Sequence, residues 1–242
     1  MAMTIVITMA GLGSRFKKAG YAEPKYMIEV HGKTLFNWSM LSLRGVSANK
    51  YIFIVQAADN SQEFIGNECR ILGIENYTVH EIDYLTSGQA ETAILASPYW
   101  EKEEGLLIYN IDTFVEPFEI KSEDFHGDGF IPCFNGEGDH WSFVRLGDGE
   151  EAVEVREKHR VSEHCTVGAY YFKSAALYEE LYQTFYLTGD RQLEAVERYV
   201  APLYNYLIGL GGKVFISSIA YDRVHVLGTP EEVEIFKSIP HS

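Results

Sequence analysis

At 242 residues and 46% hydrophobic composition, the chain can bury one medium-sized core and is too apolar to stay disordered. Its formal charge of −15, from 20 Lys+Arg against 35 Asp+Glu, opposes nucleic-acid binding, which rests on neutralising backbone phosphates. No apolar run approaches the roughly 18 residues that a membrane span needs. Three scattered cysteines, Cys69, Cys133 and Cys165, argue against a disulfide framework or a thiolate zinc site and read as small core or surface residues.

In chain order, residues 4–9 form a first apolar run that ends in glycines and Arg15. A buried strand entering a loop ends this way, whereas a signal peptide carries a basic leader, so a cytoplasmic protein is expected. Strand signals return at 51–55, 77–82 and 106–110, with helical patterns at 33–44, at 61–72 behind an Asp59-Asn60 cap, and at 88–96. This alternation predicts a parallel α/β sheet with right-handed crossovers. The pattern then changes: strands are predicted at 127–134, 141–146, 152–157 and 167–173, separated by Gly/Asp turns such as Gly147-Asp148-Gly149. Helices follow at 175–186 and 193–210, a strand at 213–219, and a short helix at 230–237 opened by Pro230. With no repeat, linker or low-complexity tract, 1–242 reads as a single domain, in which 1–115 holds one ligand and 116–242 extends the same sheet.

In so acidic a chain, basic residues set among glycines point to a small anionic ligand. Ala10-Gly11-Leu12-Gly13-Ser14-Arg15-Phe16, with Pro24-Lys25 behind it, is such a place. A strand running into a glycine turn offers backbone N–H groups to phosphate; Arg15 adds a planar donor fork and Lys25 a point charge. The glycine spacing is neither that of a P-loop nor that of a dinucleotide fingerprint. Taken alone, a Gly-x-Gly turn is as often structural.

The block as a whole, with Gly32-Lys33-Thr34 after it, resembles the signature of nucleoside-diphosphate-sugar pyrophosphorylases, and more closely a short capsule- or envelope-associated branch. The resemblance implies a Rossmann-like, mixed and mainly parallel sheet flanked by helices, like that of GT-A enzymes. It also implies transfer of a nucleoside monophosphate from an NTP, CTP or UTP before dTTP, GTP or ATP, to a sugar 1-phosphate or similar acceptor. By the same carry-over, Ala10, Gly11, Leu12, Gly13 and Ser14 line the nucleotide, while Arg15 and Lys25 hold its phosphates. Thr34 departs from the usual proline.

Later blocks follow in family order. Gly88-Gln89-Ala90 opens a helix where the family recognises the base; Gln89 offers both donor and acceptor to a base edge, although Ser87 capping an ordinary helix would give the same pattern. Asp112 follows the apolar strand 106–110, where α/β sheets bind ligands, and a hard carboxylate there suits Mg²⁺; the family's metal aspartate stands at this place. Glu157 and Lys158, with Gly168 on the next strand, match an acceptor-binding segment in which the lysine grips the acceptor's phosphate. The last block departs: where many relatives read Trp-x-Asp-x-Gly-Thr, with a second metal aspartate, this chain has Val226 before Leu227-Gly228-Thr229-Pro230-Glu231-Glu232. Asp222, the nearest carboxylate upstream, serves as a substitute ligand only if the chain bends between Tyr221 and Leu227; a one-ion site held by Asp112 and the triphosphate is the other expectation, and His225 the third. A GT-A glycosyltransferase is the rival reading, but Asn110-Ile111-Asp112 lacks the first carboxylate of an Asp-x-Asp; a nucleotide sensor is the other. A homo-oligomer is compatible with all of these.

Overall fold

The computed structural model describes residues 2–188 and 197–240. Strands β1 (Met3–Thr8), β2 (Glu29–Val30), β3 (Lys33–Thr34), β4 (Lys50–Gln56), β5 (Tyr77–Ile82), β6 (Gly105–Asn110) and β7 (Thr113–Val115) occupy the first half. Helices α1 (Ser14–Lys18), α2 (Leu35–Leu41), α3 (Gln62–Leu72) and α4 (Gln89–Ile94) lie between them. The second half contributes β8 (Gly129–Asn135), β9 (Ser142–Leu146), β10 (Ala152–Glu157), β11 (His164–Thr166), β12 (Ala169–Phe172), β13 (Val214–Ile219) and β14 (Val224–Val226). Its helices are α5 (Ala175–Tyr182), α6 (Ala201–Gly209) and α7 (Pro230–Ser238).

Ten strands form one mixed sheet in the order β10-β9-β11-β8-β12-β6-β1-β4-β5, with β13 joined to β8. The β6-β1-β4-β5 end is parallel, as the βα alternation requires, and the β10-to-β12 end is antiparallel. β13 returns to lie parallel to β8. Period-2 alternation sorts the core. Val6, Leu106 and Ile108 face a cluster built with α4, α5 and α6, while Ile5, Ile7, Leu107 and Tyr109 face one built with α2 and α3. At about 1.5–3 kcal/mol for each large side chain buried, these two layers are the main stabilising term.

A third cluster joins distant parts of the chain: Phe16, Val30, Leu35 and Trp38 pack against Phe114, Leu227, Val233 and Phe236. It seats α7 beside the glycine loop. Beneath it, β7 and β14 form a separate antiparallel pair, with Val226 opposite Thr113.

Several boundaries differ from the sequence expectation for local reasons. Lys33 and Thr34 form a hairpin strand, and Thr34 caps α2 by accepting from the Asn37 N–H at 3.0 Å, so the helix begins at Leu35. Asn60 is left-handed, with φ 49°, after a short 3-10 turn over Ala57–Asp59, so the expected Asp59-Asn60 cap is absent and α3 starts at Gln62. The strand expected over 167–173 begins only at Ala169, after Gly168 with φ +81°, and a separate short strand, β11, precedes that glycine. Of the helix expected over 193–210, residues 193–196 lie outside the described residues and α6 spans Ala201–Gly209.

Candidate active site

Thr8 and Asn110 are register partners at the carboxyl ends of β1 and β6, so the loops that follow them emerge side by side. That edge is where α/β sheets place ligands. It opens into a cleft of about 690 Å³. One end includes Ala10, Gly11, Arg15, Lys25, Gly88, Gln89 and Asp112. Its other end includes His140, Trp141, Ser142, Glu157, Gly168, Tyr170, Glu197 and Tyr199.

Of the residues read from the sequence, Leu12, Gly13, Ser14, Lys158 and Asp222 do not line this cleft. Gly13 instead enters α1 in the left-handed conformation, with φ 58°, a job glycine does without strain. Leu12 is exposed. Asp222 sits in an exposed 3-10 turn, Tyr221–Arg223, and is not brought to Asp112. His225 is engaged elsewhere: its ring stacks on Phe114 at 5.3 Å and its Nε2 lies 3.3 Å from Glu116 Oε1. Burial lowers its pKa from the ordinary histidine value.

Around Asp112 the geometry is tight. The Lys25 ammonium donates to Asp112 Oδ2 at 2.6 Å, and the lysine side chain is 16% exposed. Leu227 N–H donates to the Asp112 carbonyl at 2.8 Å, which draws the chain after β14 against this loop. Gly228 completes the floor. A Cβ there would stand 3.5 Å from Asp112 Oδ2 and 3.5 Å from Glu232 Oε2. That Glu232 oxygen and Asn110 Oδ1 are both buried without a hydrogen-bond partner, and both residues line the cleft.

The turn at Gly88 is built differently from expectation. Gly88 has φ 146°, but the space beside it belongs to the main chain of Arg198, whose carbonyl oxygen would lie 2.6 Å from a Cβ. Arg198 N–H donates to the Ser87 carbonyl at 2.7 Å, and Ala90 N–H donates to the Arg198 carbonyl at 2.9 Å. Ser87 does not cap α4; its N–H donates to Glu91 Oε2 at 2.9 Å. Gln89 Nε2 donates to Thr8 Oγ1 at 3.2 Å, which fixes its amide at the end of β1.

At the far end, β10 terminates in Glu157 and the chain turns out through Lys158 in the left-handed region, φ 53°. Ser142 Oγ donates to Glu157 Oε2, and burial raises this carboxyl above the usual carboxylate range. Lys158 reaches the cleft only through its partners: its ammonium donates to the Tyr199 hydroxyl, lies 4.6 Å above that ring and is 3.8 Å from Glu197. The bond to Tyr199 raises its pKa. Tyr170 OH lies 3.0 Å from Thr166 Oγ1, and burial pushes its pKa up to about 12. Gly168 makes room for Asn110, whose Nδ2 would lie 2.1 Å from a Cβ.

Neither a family model nor a curated protein matches the chain. Among solved structures it is similar to the nucleoside-diphosphate-sugar pyrophosphorylase from Vibrio cholerae RC9, at 34% identity over 97% of this chain and 100% of that one, with a TM-score of 0.87. It shares its fold with the inositol-1-phosphate CTP transferase from T. maritima (14% identity, 99% and 98% covered, TM-score 0.75). It shares it also with the UDP-glucose pyrophosphorylase from Acinetobacter baumanii (15%, 98% and 92%, TM-score 0.73). What the fold and cleft define is therefore a nucleotidyltransferase. More particularly, the chain belongs to the nucleoside-diphosphate-sugar pyrophosphorylase family. That membership replaces the glycosyltransferase and sensor readings.

Proposed function

We propose that this chain transfers a nucleoside monophosphate from CTP or UTP to a sugar 1-phosphate or similar phosphorylated small molecule, releasing pyrophosphate, within the cytoplasmic steps of capsule or cell-envelope polysaccharide synthesis. The observation that carries this reading is one cleft with Arg15, Lys25 and Asp112 at one end and Glu157 and Tyr199 at the other. A polyanion and a second ligand can lie end to end there. Residues 1–115 form the nucleotide half and 116–242 the acceptor half. The neighbours named for CTP and UDP-glucose favour a pyrimidine.

An acceptor phosphate oxygen attacks the α-phosphorus; the new P–O bond forms as the bond to the β-phosphate oxygen breaks, and pyrophosphate leaves. Because the acceptor is already an anionic nucleophile, no protein nucleophile is needed, and catalysis becomes positioning and charge neutralisation. Arg15 and Lys25 hold the triphosphate. Lys158, through its contact with Tyr199, neutralises the acceptor, and Glu157 accepts its hydroxyls. The site suits Mg²⁺: an ammonium already sits against Asp112 Oδ2, and Gly228 leaves the space beside that oxygen free of a side chain. When bound, the ion would neutralise charge shared between the phosphates.

Pyrophosphate release tests the reading, with each of four NTPs offered against a panel of sugar 1-phosphates and other phosphorylated metabolites in magnesium. Release with CTP or UTP and one acceptor class is expected. Clear preference for ATP or GTP rejects the pyrimidine assignment, and no release with any pair rejects the transfer.

A further inference from the structure

We propose that Glu232 is a ligand of the divalent cation that accompanies the nucleotide, sharing it with Asp112. The proposal rests on the metal-dependent reading above and assigns to the first turn of α7 a part that the β14 residue Val226 cannot play. Val226 lines the cleft, so the backbone is in position there, but its side chain has no donor atom.

Three observations place the second carboxylate at Glu232. Its Oε2 and Asp112 Oδ2 are each 3.5 Å from the point above Gly228 where a Cβ would stand, so they are no more than twice that distance apart. Gly228 has no side chain to fill that point. Next, Glu232 Oε2 is buried and has no hydrogen-bond partner, and among the described residues no ion pair reaches it. Burying an unpaired carboxylate oxygen is unfavourable, and a cation would relieve it. Finally, the protein's own cation at this place, Lys25, is taken by Asp112 at 2.6 Å.

A plainer role for Glu232 is the reciprocal half of a capping box, in which the third helical residue accepts from the N-cap N–H. Only the first half forms here: Thr229 Oγ1 accepts from the Glu232 N–H at 3.2 Å, and the buried carboxylate oxygen stays unpartnered. Direction explains the reach. Side chains in a first helical turn point back towards the helix N-terminus, and α7 begins at Pro230, two residues beyond Gly228. No cluster of three or more metal-ligating side chains occurs among the described residues. Two carboxylates suit an ion that takes one or two protein oxygens and completes its octahedron with phosphates and water.

The test measures Mn²⁺ binding to the full chain by electron paramagnetic resonance, with and without a non-hydrolysable CTP or UTP analogue. Glu232→Gln keeps the length of the side chain and its ability to cap. It should melt as the wild type does, yet weaken Mn²⁺ binding in the ternary complex by roughly ten- to a hundredfold, as Asp112→Asn should. Glu232→Asp, which keeps a carboxylate, should recover part of the affinity and covers the case in which the glutamine variant folds poorly. Wild-type Mn²⁺ affinity in Glu232→Gln beside a weakened Asp112→Asn would overturn the proposal and leave the metal-dependent transfer standing. Absence of nucleotide-dependent Mn²⁺ uptake in the wild type, together with no pyrophosphate release, would remove both.

Discussion

Lys25 and Asp112 hold one another at 2.6 Å, whereas among the described residues Arg15 has no ion pair and is exposed. Arg15 is thus the basic group of the glycine loop that is free to meet a phosphate. Arg15→Ala should lower kcat/KM for the NTP by roughly two orders of magnitude, the scale of losing a key electrostatic group, with little change in the acceptor's KM. Lys158→Ala should do the reverse and raise the acceptor's KM. Steady-state kinetics with each substrate varied in turn checks the pair, and the opposite pattern would reject the division of labour. Glu157 gives a pH signature. Burial raises its carboxyl pKa, so the folded state binds that proton more tightly than the unfolded chain. Its stabilising contribution is complete below the unfolded value, about 4.3, and is lost as pH rises through the folded value. Glu157→Gln, which leaves Ser142 a partner, should therefore gain Tm relative to wild type at pH 7 and lose that gain near pH 4. An equal difference at both pH values in thermal melts would exclude the linkage.

On the scale of elements, the Gly88 turn is tied to the backbone of Arg198. Gly88→Ala would drive a Cβ to 2.6 Å from the Arg198 carbonyl oxygen and 2.8 Å from its nitrogen, at a φ that L-residues rarely adopt. A loss on the order of 2 kcal/mol is expected, which for this chain length is a Tm drop of several degrees. The acceptor's KM should rise with it, because Tyr199, which lines the cleft, directly follows Arg198 in the chain. A variant with wild-type Tm in scanning calorimetry would contradict this. The same comparison shows what sequence could and could not reveal. Strands at Tyr77–Ile82 and Ala152–Glu157 were legible to the residue, since long apolar or alternating runs set their own period. The Thr113–Val115 and Val224–Val226 pair was not, because three residues carry no period. That Lys25 and Asp112 would share one cleft was legible from a basic residue behind a glycine turn and a carboxylate past a strand. That Asn110 and Glu232 bring buried, unpartnered oxygens to it was not, because their placement depends on two glycines, Gly168 and Gly228, whose missing side chains matter only once the chain is folded.

For the whole molecule, a ligand seated across this cleft bridges both halves of one sheet, and binding to the folded state alone raises stability by mass action. At a hundred times its Kd, a nucleotide adds about 2.7 kcal/mol, several degrees in Tm at this size. Differential scanning fluorimetry with the four NTPs in magnesium should show the largest shift for CTP or UTP, and equal shifts for all four would reject base recognition. The third core cluster has a different consequence, for biosynthesis. Because Phe16, Leu35 and Trp38 close against Leu227, Val233 and Phe236, contacts that finish the glycine-loop end of the cleft span some two hundred residues of chain. Such long-range closure slows folding and leaves apolar surface exposed in the interim. A nascent chain on the ribosome would carry an unfinished glycine loop until α7 emerged, and a fragment ending at residue 115 should bind hydrophobic dyes and aggregate.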